Sequence, residues 1–284
     1  MTTTRRDFLK SSLAATATTA ALAAGTTAAA AEKPAASARD YYEVRAYRLK
    51  PGASTALLDG YLEKALLPAL NARGIASVGV FTEVVVDKKA VTSTPKVGTA
   101  EDPAIVWVLI AHPTLESFVK VSADLNADPK VQAAGAAYLT TPKSAPAFDR
   151  VDSWVLRAFA GYPRTFVPAF SKSKTPTRIF EMRDYQSHSE ERALNKMAMF
   201  DNGEIEVMQE LGMSPVFFGQ ALAGPNLPHL RYITCGPDLA THLNNWKAFG
   251  PHPIWTKLKN DPQYKDNTSK NTARFLVPTA YSQL

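Results

Sequence analysis

The sequence predicts an α+β protein built from two tandem ferredoxin-like units, each β-α-β-β-α-β, that close into one intramolecular α+β barrel. Two observations carry this. The phrase "YEVRAY" at 42–47 returns as "FEMRDY" at 180–185, so Glu43 recurs as Glu181 (181 − 43 = 138). One helix length later "RGIASV" at 73–78 meets "LGMSPV" at 211–216, and Gly74 to Gly212 is again 138. Two separate matches at one offset point to an internal repeat. A third pair, "AHPTL" at 111–115 and "CGPDL" at 235–239, sits at an offset of 124, as do Asp128-Pro129 and His252-Pro253. The first copy therefore carries an insertion, and the polar Pro/Gly/Thr stretch 87–102, without apolar period, is its place.

Each element follows from its pattern. Strands are expected at 41–49 and 177–186, where polar and apolar residues alternate. In the first copy Leu58, Leu62, Leu66 and Leu70 recur every four residues, as in a helix with one buried stripe. Pro68 is expected to bend or interrupt it. Gly74 and Gly212 stand where a helix end favours a left-handed residue. Strand pairs are expected at 75–86 with 104–111, and at 213–222 with 229–235. Thr114 and Asp238 read as N-caps of a second helix in each copy, broken at Asp128-Pro129 and His252-Pro253. Closing strands fall at 151–159 and 272–280, and 160–176, with three prolines, reads as the linker. The organisation is thus 1–31 leader, 38–159 first unit, 160–176 linker and 177–284 second unit. Two helices cover one face of each sheet, so the other face needs a partner, and the second copy supplies it.

The first residues read as an export address. "TRRDFLK", Thr4 to Lys10, fits the twin-arginine signal at each defining position, and a weakly apolar Ala/Thr run leads to small residues near Ala31 that suit signal-peptidase cleavage. The expectation is export through the twin-arginine machinery to the periplasm or beyond. Net charge is +6, and residues 1–31 hold Arg5, Arg6 and Lys10 against Asp7, so +4 remains after cleavage. That charge forms no basic stripe interleaved with aromatics, so nucleic-acid binding is not expected. The lone Cys235 cannot staple its own chain and reads as a small buried strand residue.

Alternate strand residues share a face. Val44 and Ala46, like Phe180 and Met182, are expected to face the helices. Glu43, Arg45 and Tyr47, with Glu181, Arg183 and Tyr185, are then expected to line the inside of the barrel. A buried arginine without a partner is costly, and each triplet brings its own carboxylate. Two readings stand: an ion-pair network that fixes register and pairing, or a polar ligand site in an otherwise apolar barrel. The five histidines, His112, His188, His229, His242 and His252, form no close metal-ligand pair and read as capping or surface residues. No metal site and no cofactor is indicated. Trp246, Phe249 and Trp255 at helical spacing read as core. No Gly-rich phosphate loop, nucleophile elbow or CxxC is present.

The "YEVRxY" first strand, "LPALNARGIASVGVF" and the "HPTLESF…ADPKVQ" helix resemble the NIPSNAP domain family. The second copy, "FEMRDY…LGMSPVFFG…GPDLATHLNNWKAFGPHPIW", carries the pattern more fully, since Val131 stands where it has Trp255. The resemblance spans about 41–158 and 177–284. It implies the dimeric α+β barrel, whose interior in that superfamily holds small apolar molecules, haem, or a substrate for cofactor-free oxygenation. It supplies no catalytic residues. Family members inside cells are linked to vesicles and mitochondria, roles that the export signal argues against here. Three functions follow as expectations: a small-molecule binding protein with Arg45 and Arg183 facing an acidic group, a cofactor-free or haem-assisted oxygenase, or a scaffold without ligand. The tandem copies remove the need for a homodimer without forbidding one.

Overall fold

The computed structural model describes residues 38–284, so the expected leader lies outside the described residues. Nine strands follow the chain: β1 Tyr41–Arg48, β2 Gly79–Asp87, β3 Thr92–Pro95, β4 Ile105–His112, β5 Arg150–Ala158, β6 Ile179–Gln186, β7 Phe217–Ala223, β8 His229–Gly236 and β9 Lys270–Pro278. Their order in the sheet is β3-β2-β4-β1-β5-β7-β8-β6-β9, and a further β2–β9 pairing closes it. Eight strands thus form a closed antiparallel barrel with β3 as an outlying strand. The halves meet at β5–β7, through Leu156 opposite Ala221, and at β9–β2, through Leu276 opposite Glu83. Closure leaves the barrel strands without free edges.

The helices lie outside, as expected, and their ends show the expected chemistry. Thr114 accepts a hydrogen bond from the Ser117 amide and Asp238 from the Thr241 amide, each satisfying a free amide of the first turn. Gly74 (φ 76°) and Gly212 (φ 69°) take the left-handed conformation that ends the preceding helix. The second helix of each half is broken where the prolines fall: Leu115–Ala127 then Pro129–Ala134, and Leu239–Phe249 then Pro253–Asn260.

Two expectations about the elements need correction. Pro68 does not break the first helix, which runs on through Leu67–Asn71. The irregularity is a π-helical turn just before it, Leu62–Leu66, matched in the second half by Phe200–Glu204 with Gly203 at φ 142°. Pro68 sits in the first turn of the resumed helix, where its missing N–H costs little. The stretch 87–102 is not all loop. Thr92–Pro95 pairs with Val84–Asp87 as a hairpin strand, and Lys96 anchors it through 2.7 Å contacts to Glu83 and Asp102. The linker 160–176 contains a short helix, Ala169–Lys172, and is held by bonds to Asp40 from Arg164 and Thr165.

The largest correction concerns which face of the strands looks inward. Val44, Ala46, Phe180 and Met182 do not face the helices. They fill the barrel with Tyr42, Phe81, Trp107, Trp154, Leu156 and Phe217, all buried. Glu43, Arg45, Tyr47 and their counterparts point outward, beneath the helices. The reason is solvation. A closed eight-stranded barrel is just wide enough to be filled by side chains, and an arginine there loses its water, as Arg231 does at one end, where Asp184 pairs with it. Under the helices Arg45 and Arg183 keep 16% and 20% of their side-chain surface exposed.

Candidate functional site

In the first half, Arg45 grips Glu43 with two bonds, Nε–Oε1 at 2.6 Å and Nη2–Oε2 at 3.1 Å, and its Nη1 reaches the Tyr47 hydroxyl only at 3.5 Å. His112, the last residue of β4, lies 3.4 Å from Glu43 and 3.2 Å from the Ser117 hydroxyl. Burial alone would raise the Glu43 pKa, but His112 and Arg45 together hold it down at about 2. Around this network stand Leu58, Leu66 and Val108, all fully buried, and Tyr61 and Tyr138, stacked at 4.2 Å beside Tyr47 and Arg45.

The second half begins alike. Arg183 donates to Glu181 at 2.9 Å and to the Tyr185 hydroxyl at 3.2 Å. His242 Nε2 donates to the other Glu181 oxygen at 2.8 Å, so Nε2 is not free to accept from the Trp246 indole 3.2 Å away. Against the cost of burial, His242 and Arg183 lower the Glu181 pKa. From here the halves part. Tyr232, opposite Arg183 in β8 where Val108 stands opposite Arg45 in β4, joins its hydroxyl to Tyr185 at 2.9 Å. Trp246 lies flat against Arg183, with the guanidinium carbon 3.8 Å from the ring centre, a favourable cation–π geometry. Lys196 and Glu204, at the positions of Leu58 and Leu66, form a buried ion pair at 2.7 Å. Lys196 also stands 4.7 Å over the Phe200 ring and 5.4 Å over those of Tyr185 and Trp255. Burial pushes the Glu204 carboxyl up in spite of Lys196.

The six expected residues therefore assemble, but as two separate sets under two helix layers rather than one set within the barrel. The histidines correct another expectation. His188 is at the surface, yet His112 and His242 are fully buried carboxylate partners. They come from positions that do not correspond. Residue 118, the counterpart of His242, is Phe118, which packs edge-on against His112 at 5.7 Å. Residue 236, the counterpart of His112, is Gly236, where an added Cβ would sit 3.1 Å from the His242 side chain. Each half places one imidazole on its glutamate by a different route. Trp246, Phe249 and Trp255 pack with the core of the second half, as expected, and Cys235 is buried with its thiol pKa raised by that burial.

A further polar group inside one end of the barrel left no mark in the sequence pattern. Arg231 pairs with Asp184 (Nη2–Oδ2 3.0 Å) and lies 4.1 Å over Trp154, while Arg274 reaches Asp184 at 3.2 Å. Glu83 accepts from the Trp107 indole at 2.9 Å. Among the described residues, no group of three or more His, Cys, Asp or Glu is placed to hold a metal ion, and no helix is long and apolar enough to cross a membrane.

Comparison with known proteins bears on the fold. Two solved structures share it: a "Putative monooxygenase" from Fusobacterium nucleatum, at 9% identity and TM-score 0.53 over 85% of this chain and 93% of that one, and a protein of the same description from Lactobacillus acidophilus, at 6% identity and TM-score 0.53 over 84% and 94%. A NIPSNAP-like domain protein from Burkholderia xenovorans aligns with 37% of this chain and 89% of its own, at 16% identity and TM-score 0.33. No curated protein matches the chain. The NIPSNAP family model matches residues 180–283, which hold the whole second Glu-Arg-Tyr network.

Proposed function

We propose that the protein binds a small molecule bearing an acidic group, and that the second half holds it at Arg183 between sheet and helices. One observation carries this reading: the two Glu-Arg-Tyr sets share a plan, yet only the second is extended by Tyr232, Trp246 and the Lys196–Glu204 pair. A network needed only for register would not require that extension, and the first half does without it. A ligand within the barrel would have to displace Phe81, Phe180 and Phe217, so the site lies under the helices. There Arg183 has Glu181 and Tyr185 on one side, Trp246 on its flat face, and an exposed edge whose remaining N–H donors suit a carboxylate or enolate.

The charges at Glu181 and Arg183 favour binding over proton transfer by these two groups. Glu181 is lowered by its partners and Arg183 is raised in spite of burial, so both stay ionised across neutral pH. A general acid or base would need a pKa near the working pH. The oxygenase alternative draws on fold likeness alone. Haem does not fit these two networks as they stand, since His112 and His242 each direct Nε2 to a glutamate. We further propose that the protein acts outside the cytoplasm, a reading supported by "TRRDFLK" at 4–10.

The test is native mass spectrometry of the protein purified from its exporting host, set against the denatured mass. The expected result is a reproducible bound mass that R183Q loses while keeping its fold. A bound mass that survives R183Q would overturn the assignment to this site.

A further inference from the structure

The sheet is unevenly covered around Arg183. Strand β9 runs beside β6, with Phe275 opposite Glu181, Ala273 opposite Arg183 and Asn271 opposite Tyr185. Directly opposed residues share a face, so these three lie on the outer side of the sheet with the network. The helix Leu239–Phe249 covers Phe275, which is buried and packs with Leu239 and Leu243. There the cover ends, and Ala273 and Asn271 are both exposed. They form an open floor on one side of Arg183, whereas Tyr232, on its other side in β8, is fully buried.

The fork of Arg183 limits what it can still take. Nε and Nη2 each approach Glu181 Oε1 at 2.9 Å, and Nη1 donates to the Tyr185 hydroxyl at 3.2 Å. One N–H on each terminal nitrogen remains. Glu181 and Tyr185 flank Arg183 along the strand and take the two sides of the fork, so the remaining pair points forward from its end. Two parallel N–H groups match the two oxygens of a carboxylate better than the single oxygen of an enolate.

The first half has the same floor with other side chains. Ser153 stands opposite Arg45 and Val151 opposite Tyr47, and both are exposed. Ser153 turns its hydroxyl to Glu43 at 3.5 Å, and the corresponding Ala273 has no such group. Val151 offers no hydrogen bond, whereas the Asn271 amide can both donate and accept. Diagonal neighbours on adjacent strands lie about 7–8 Å apart, so one small molecule lying over Ala273 can reach Arg183 and Asn271 together.

Resting on the reading that Arg183 holds the ligand, we propose that the ligand is a 2-hydroxy carboxylate and that Asn271 determines this specificity. The carboxylate meets the end of the Arg183 fork. The hydroxyl on the neighbouring carbon, which also donates and accepts, meets the Asn271 amide. The rest of the molecule lies over Ala273.

The probes are phenylacetate and the two hands of mandelate, which differ from it by that one hydroxyl. Binding to the intact protein is followed by NMR of the Arg183, Trp246 and Asn271 side-chain nitrogens. The expected result is that one hand of mandelate binds about tenfold tighter than phenylacetate, the value of one hydrogen bond. N271V places the first half's residue at an exposed position and is expected to remove that preference while phenylacetate binds as before. R183Q is expected to lose both probes. Equal affinity for the probes, or a preference that survives N271V, with binding still lost in R183Q, would overturn the role of Asn271 and leave the Arg183 reading standing. Binding that survives R183Q, or no binding of either probe to the wild type, would overturn both.

Discussion

The two halves of this molecule start from the same phrase and end with different interiors. In the first, Glu43, Arg45 and Tyr47 are bordered by Leu58, Leu66, Val108 and the stacked rings of Tyr61 and Tyr138. In the second, Glu181, Arg183 and Tyr185 meet Lys196, Glu204, Tyr232 and Trp246. The strand registers agree, since Arg45 faces Val108 as Arg183 faces Tyr232. The π-helical turns agree as well, at Leu62–Leu66 and Phe200–Glu204. What differs is only what surrounds the triplet. Two halves with the same strand register and the same helical irregularity can therefore carry different chemistry, and the plainer half is an internal control for the other.

The sharpest way to test this contrast is to give the second half the side chains of the first. Breaking the Lys196–Glu204 pair by K196L or E204L alone leaves a buried charge and is expected to cost about 3–5 kcal/mol by chemical denaturation. The double variant K196L/E204L places leucines where the first half has Leu58 and Leu66, and should recover most of that loss. A double variant as unstable as the singles would show that the two interiors are not interchangeable. The next largest effect concerns acid. Glu43 has its pKa held near 2 in the folded protein against about 4.5 unfolded. A depressed carboxylate contributes stability that is present above the unfolded value and is lost as pH falls through the folded one. Stability should therefore hold down to about pH 5 and decline between about 5 and 2, and E43Q should flatten that decline while lowering stability at neutral pH. E181Q should act in the same direction.

Smaller changes separate the halves more finely. W246S introduces the first half's residue, Ser122, at that position. It removes the ring under Arg183 and is expected to cost about 2 kcal/mol, together with the ligand. Y185F breaks bonds of 3.2 Å and 2.9 Å to Arg183 and Tyr232 and should cost about 1 kcal/mol. Y47F removes one contact of 3.5 Å and should change little. If Y47F and Y185F cost the same, the second network is no tighter than the first.

Much of this arrangement was legible in the sequence. The strands at 41–48 and 179–186, the glycines at 74 and 212, the caps at Thr114 and Asp238 and the breaks at Asp128-Pro129 and His252-Pro253 each follow from one local rule, and each holds. The face of the triplets was not legible. Alternation separates two faces of a strand without saying which is dry. "YEVRAY" has Val44 and Ala46 on one and Glu43, Arg45 and Tyr47 on the other, and only closure of the barrel makes the inner face the apolar one. The glutamate–imidazole pairs were hidden for another reason. His112 ends a strand and His242 lies within a helix, so no alignment of the halves brings them together. Lys196 and Glu204 are eight residues apart across a π-helical turn, and no simple helical spacing pairs them. The inserted hairpin was hidden because Thr92–Pro95 is fully exposed and lacks the alternation by which strands are found.

The central claim is that the second network is a binding site and the first is architecture. Native mass spectrometry of three proteins purified from the native host tests it most directly: the wild type, E43Q/R45M and E181Q/R183M, each pair neutralised so that no charge is left alone. The account expects a bound mass in the wild type and in E43Q/R45M, and its loss in folded E181Q/R183M. A bound mass that disappears from E43Q/R45M, or persists in E181Q/R183M, would contradict it.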